Sequence, residues 1–188
     1  MQTAGGGTRP LFGGSMSAVF PSNATDVSVF RDIPDNQEVF AHAHTDQSLI
    51  VELVEYQADV ADPDAARFHL EDIAGSNGAV GASEVTGVLE LPRAELSLVE
   101  CSSAWKATGA QRVAKFNEET RNAVTVHLGV FRLPQFSTDV LITFNDPQSI
   151  SPGSSSAALA EAHREPWTLQ DFQRLLQTVT LNDPGLFG

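Results

Sequence analysis

The sequence is short of cysteine, of basic residues and of long apolar runs, and each shortage removes a class of protein. A single cysteine, Cys101, cannot close a disulfide within the chain, and no second thiol exists to complete a zinc knuckle or a redox pair. That agrees with a reducing compartment and with Cys101 as a packed side chain. Eleven Lys and Arg stand against 24 Asp and Glu, giving a net charge of -13 at pH 7 and a pI near 4.6. Phosphates would be repelled rather than neutralised, so nucleic acid and anionic membrane are disfavoured and a basic partner is favoured. No apolar run is long enough to cross a bilayer as a helix, and the first ten residues lack the charged-then-apolar order of a secretory signal. The expectation is a soluble, intracellular protein.

Motifs of chemistry are also lacking. Gly5, Gly6 and Gly7 are followed by Thr8 without a lysine, and no Gly-x-x-x-x-Gly-Lys-Ser/Thr loop occurs anywhere, so the chain is not expected to bind nucleotide itself. No Gly-x-Ser-x-Gly elbow appears, and His69, His127 and His163 are scattered singles, which leaves a small hydrolase only as a rival to a binding protein. His42, His44 and Asp46 alternate and would share one side of a strand. They offer only two imidazoles in a segment that leaves the strand by Thr45, so a metal site is disfavoured. Neither a catalytic residue nor a cofactor is expected.

What the sequence does hold is concentrated acid. Residues 26–72 contain twelve Asp and Glu against Arg31 and Arg67 alone, a net charge of -10, whereas a solubilising coat would be spread evenly. Within that stretch, residues 45–60 are assigned a helix that places Ile50, Leu53 and Val54 on one side and Glu52, Glu55 and Asp59 on a polar stripe opposite. A strand would set Glu52 and Glu55 on opposite faces. The stripe, and Asp35 with Glu38 behind Pro34, have bland alternatives: a solvated helix face, and a turn whose carboxylates satisfy backbone donors.

With 188 residues, 41% hydrophobic, the chain suits one domain. Residues 1–10 are expected to form a flexible arm and 11–188 the domain, with residues 11–14 as a turn into a strand at 16–20. A helical turn at 26–31, a strand at 38–42 and a helix at 65–73 ending at Gly75 follow. Strands are expected at 82–91, 98–108 turning at Gly109 into 111–116, 124–133 and 139–145, with a hairpin connection at 133–137. Trp105, Trp167, Phe116, Phe131, Phe144 and Phe172 read as core aromatics. Residues 147–166, rich in Ser, Ala, Pro and Gly, suggest a mobile loop. Thr168 then caps a helix to about Val179, whose Leu169, Phe172, Leu175, Leu176 and Val179 form an apolar face laid on the sheet.

Several segments together resemble the Ran guanine nucleotide release factor family, in its animal form, from Leu11 to Gly188. They are Leu11-Phe12-Gly13-Gly14, Ile33-Pro34-Asp35-Asn36-Gln37-Glu38-Val39-Phe40, Thr45-Asp46-Gln47-Ser48-Leu49-Ile50-Val51-Glu52-Leu53, Arg132-Leu133-Pro134-Gln135-Phe136-Ser137-Thr138-Asp139 and Asp183-Pro184-Gly185-Leu186-Phe187-Gly188. The resemblance implies an α+β fold, an α/β/α sandwich related to PsbP, with a central antiparallel sheet of about six strands flanked by helices. It implies a monomeric, non-enzymatic regulator that binds the small GTPase Ran, promotes nucleotide release and supports nuclear protein import, located in nucleus and cytoplasm. It also implies, as an alternative, trafficking of the cardiac voltage-gated sodium channel, with peripheral association at the plasma membrane through that partner. Family sites carry over onto Asp35 and Glu38 and onto Glu52 and Glu55, and the charge pattern adds Asp46 and Asp59. Val29-Phe30-Arg31 departs from the family pattern, in which an acid precedes Leu-Arg.

Overall fold

Alternating burial along the strands shows which faces meet a core: Met16, Ala18 and Phe20 point inward from one strand while Ser17 and Val19 do not. A computed structural model describes residues 7–76, 83–113, 122–147 and 165–188. In it, β1 (Gly7–Leu11), β2 (Met16–Phe20) and β10 (Thr180–Leu181) form a three-stranded antiparallel sheet, in the order β1-β2-β10. A second antiparallel sheet takes β3 (Ala24–Asp26), β4 (Gln37–His42), β5 (Ser48–Glu55), β6 (Ser83–Glu90), β7 (Ser103–Val113), β8 (Asn122–Leu133) and β9 (Thr138–Pro147), in the spatial order β3-β4-β5-β9-β8-β7-β6. Two α-helices are described, α1 (Asp62–Ser76) and α2 (Leu169–Thr178).

The helices cover opposite faces of the seven-stranded sheet. On one face Ala65, Ala66 and Leu70 of α1 pack against Ala107, Val126, Leu128, Val130 and Leu141. On the other, Phe172, Leu175 and Leu176 of α2 join the small sheet over Leu49, Val51, Phe131, Ile142 and Phe144. The fold is therefore α+β with helices on both sides of an antiparallel sheet, as expected, but the sheet has seven strands rather than about six.

Glycine sets how closely the helices approach. A Cβ at Gly129 would overlap the Leu176 methyl of α2, and one at Gly109 would lie 2.9 Å from Leu70 Cδ2 of α1. Gly109 was expected to turn the chain. Instead it continues β7, paired with Val85 and Val126, and its missing side chain makes room for a helix.

Three further expectations are corrected. Gly7 onward is not an arm, because residues 7–11 pair with β2 along their whole length. Gly75 does not end its helix, which continues to Ser76. Leu169 is half exposed, although Phe172, Leu175, Leu176 and Val179 are buried as read. The capping box is present: Thr168 Oγ1 accepts from the Asp171 N–H and Asp171 Oδ2 accepts from the Thr168 N–H. The expected loop at 147–166 lies almost wholly outside the described residues, as does Phe116.

The largest correction concerns residues 45–60, which hold no helix. Ser48–Glu55 is a strand of eight residues inside the large sheet, between β4 and β9. Both of its faces meet packed side chains, so apolar residues fall at 49, 50, 51, 53 and 54 and the period-two signal is lost.

Candidate functional site: the acidic end of the sheet

Antiparallel register places the start of β4 beside the end of β5, with Gln37 opposite Glu52 and Glu38 opposite Val51. Asn36 fixes this end with two bonds, its Nδ2 donating to the Leu53 carbonyl and its own carbonyl accepting from the Leu53 N–H, each 2.9 Å. Asp35 is exposed in the turn just before. Glu52 is half-buried and accepts from Gln37 Nε2 across the pair. Glu55 ends the strand and is exposed, and Asp59 is exposed in the connection that follows.

Because β5 is a strand, Glu52 and Glu55 point to opposite faces and form no stripe. They still share one end of the sheet, three residues apart at its rim. Asp35, Glu55 and Asp59 make no ion pair among the described residues.

Glu38 has a different environment. Half-buried, it accepts from the Phe12 N–H at 2.8 Å. Phe12 has a φ of 52°, in the left-handed region that costs a residue with a side chain about 1 kcal/mol or more. A charge-assisted bond at that residue offsets the cost. For this carboxylate the bland alternative, satisfying a backbone donor, describes one oxygen.

Asp46 is not brought to this end. It is exposed in the connection from β4 to β5, and the strand that follows spans roughly 23 Å at the usual rise per residue. Its neighbour Gln47 is buried and structural: Nε2 donates to Asp146 Oδ1 and the Trp167 carbonyl, and Oε1 accepts from the Trp167 N–H. His42 Nδ1 accepts from the His44 N–H, which leaves Nε2 to donate to the Glu165 carbonyl at 2.9 Å. Both ring nitrogens are engaged, and the described residues hold no cluster of three or more potential metal ligands.

Under the acidic end lies a buried ionic group that sequence reasoning missed. Arg132 and Asp139, both fully buried, are direct partners across β8 and β9, and Arg132 Nε donates to Asp139 Oδ1 at 3.2 Å. The second oxygen of Asp139 meets His69 Nε2 at 2.9 Å. The other guanidinium nitrogens reach the Val60 carbonyl, Asp62 Oδ1 and the Gln57 carbonyl, while Tyr56 lies 4.3 Å from the guanidinium carbon. One arginine thus fixes the connection that carries Asp59. A signal was available: Arg132 continues the inward series Val126, Leu128, Val130, where a charge needs a buried partner.

Three acids inside the concentrated stretch serve the fold. Asp26 caps the tight turn at Val27–Val29 through Ser28, Glu38 holds Phe12, and Asp62 pairs with Arg132. No helix among the described residues is long and apolar enough to cross a membrane.

Residues 9–147 match the family model described as Ran-interacting Mog1 protein. The chain is 61% identical to the Ran guanine nucleotide release factor of Danio rerio over 183 residues, covering 96% of this chain and all of the relative. It is 47% identical to the Ran guanine nucleotide release factor of Homo sapiens, covering 95% of each. The crystal structure of the Saccharomyces cerevisiae Ran-binding protein Mog1p superposes with a TM-score of 0.73 over 99% of this chain at 23% identity, which speaks for the fold. With a family model matching most of its length and animal relatives matching nearly all of it, the chain belongs to the Mog1 family of Ran-interacting proteins.

Proposed function

We propose that this chain binds the small GTPase Ran through the acidic end of its large sheet, with Asp35, Glu52, Glu55 and Asp59 as the contacting carboxylates, and promotes release of Ran's nucleotide. It acts in support of nuclear protein import as a non-catalytic regulator, moving between nucleus and cytoplasm. The observation that carries this reading is that Asp35, Glu55 and Asp59, at one rim, have no ion-pair partner among the described residues, above a buried arginine that holds the connecting segment in place. The names of the relatives, release factors for Ran, agree with it.

The chemistry follows from how a GTPase keeps its nucleotide. Mg2+, lysine and backbone N–H groups hold the phosphates, and carboxylates presented to those cations compete for them. Linkage then requires the chain to bind nucleotide-free or loosened Ran more tightly than loaded Ran. Glu38 contributes by shaping the rim. Asp46, remote from it, is left out of the contact.

Charge reversal tests the placement. The double variant Glu52→Lys/Glu55→Lys is expected to bind Ran at least about tenfold more weakly, mainly through slower association, with the largest deficit at low salt. Binding equal to the parent at every salt concentration would contradict it. No described feature favours the sodium-channel alternative, which draws on the same negative charge.

A further inference from the structure

Between β3 and β4 the chain makes a tight 3-10 turn that carries two adjacent apolar side chains into solvent. Val29 is 75% exposed and Phe30 is 73% exposed. Among the described residues these are the two most exposed large apolar side chains, and they form the only adjacent pair. Isolated surface apolars are ordinary, whereas a contiguous pair held outward has a free-energy cost in water.

The turn holds them there. Asp26 Oδ1 accepts from the Ser28 N–H at 2.9 Å and from Ser28 Oγ at 2.6 Å. The Val27 carbonyl accepts from the N–H groups of Phe30 and Arg31. Two caps on one short turn hold the backbone that carries Val29 and Phe30, so the backbone share of the ordering cost is already met before binding.

Their position matters equally. Residues 27–36 join the end of β3 to the start of β4, and Pro34 and Asn36 tie that segment to Gln37 and Leu53. The pair therefore stands at the same end of the sheet as Asp35, Glu52 and Glu55. The pair lies at the β3 edge of that end, beside the carboxylates and next to the exposed Arg31, and an aromatic contact beside charged ones is a common source of interface energy.

We propose that Val29 and Phe30 are the apolar anchor of the partner surface, seating in an apolar depression on Ran that is basic on the side facing the neighbouring carboxylates. The inference rests on the Ran-binding function proposed above and adds what acids alone do not supply, a slow dissociation insensitive to salt.

The test compares the full-length parent with Val29→Ser/Phe30→Ser, and with Leu89→Ser as a control at the opposite edge strand, where Leu89 is also exposed. Dissociation from nucleotide-free Ran is measured at low and high salt, and the oligomeric state of each protein by sedimentation. The double serine variant should dissociate on the order of tenfold to thirtyfold faster at both salt concentrations, with an unchanged melting temperature, while the control matches the parent. If the parent binds and the double variant binds equally well, the anchor is refuted and the acidic surface stands. If the parent does not bind Ran, the proposed function falls and the anchor with it. A parent dimer that the serine variant converts to monomer assigns the pair to self-contact and overturns the inference.

Discussion

Glu38 and Glu55 belong to one acidic stretch, yet one is bonded to the backbone of Phe12 and the other stands free at a strand end. Sequence separates such cases poorly, because the donor that claims Glu38 comes from a residue 26 positions away. Histidine shows the same dependence on surroundings. His127 is buried against Phe144 and Phe172, and burial, with Lys106 adding to it, pushes its pKa below the ordinary 6.5, although Asp146 acts the other way. The folded state therefore binds fewer protons than the unfolded one. Its contribution to stability is complete above pH 6.5 and declines as pH falls toward the depressed folded value. Between pH 7.5 and pH 5, His127→Gln is expected to lose less melting temperature than the parent does, as thermal unfolding at several pH values would reveal.

At the scale of elements, what could be read depended on turn or cap residues at the ends of a segment and on its residue composition. Strands β2, β4, β8 and β9 and helix α2, with its cap at Thr168, lie close to their expected places: β8 and β9, buried on both faces, show no alternation but are rich in strand-forming residues and flank the turn at Pro134, while β2, β4 and α2 have turn or cap residues at their ends. The spacing of Ile50, Leu53 and Val54 in β5 fits a helical face as well as a strand, and no turn residue interrupts the segment, so the helix reading prevails there in error. The strand's length and its β-branched Ile50, Val51 and Val54 were the better guide. The group around Arg132 went unread although its strand offered a signal, because its partners Gln57, Val60, Asp62 and His69 lie more than sixty residues away along the chain, beyond any local pattern. Replacing Arg132 with Met leaves buried Asp139 with His69 as its one remaining side-chain partner among the described residues and frees the carbonyls of Gln57 and Val60. The expected destabilisation is about 3 to 5 kcal/mol, measurable by urea unfolding.

For the whole molecule, the sequence located the acid correctly in residues 26–72 but not its arrangement. Folding assigns Asp26, Glu38 and Asp62 to internal bonds, sends Asp46 to the far end, and gathers Asp35, Glu52, Glu55 and Asp59 at one rim. The rim holds exposed carboxylates beside an exposed apolar turn, a combination suited to a partner with cationic and apolar character. The most direct test of its proposed purpose is the rate at which purified Ran loses fluorescent GTP, measured with the parent chain, with Glu52→Lys/Glu55→Lys and with buffer alone. The parent should accelerate release in proportion to its concentration, and the charge-reversed chain should fall close to the buffer rate at equal concentration. Release unchanged by the parent, or accelerated equally by both chains, would contradict the account.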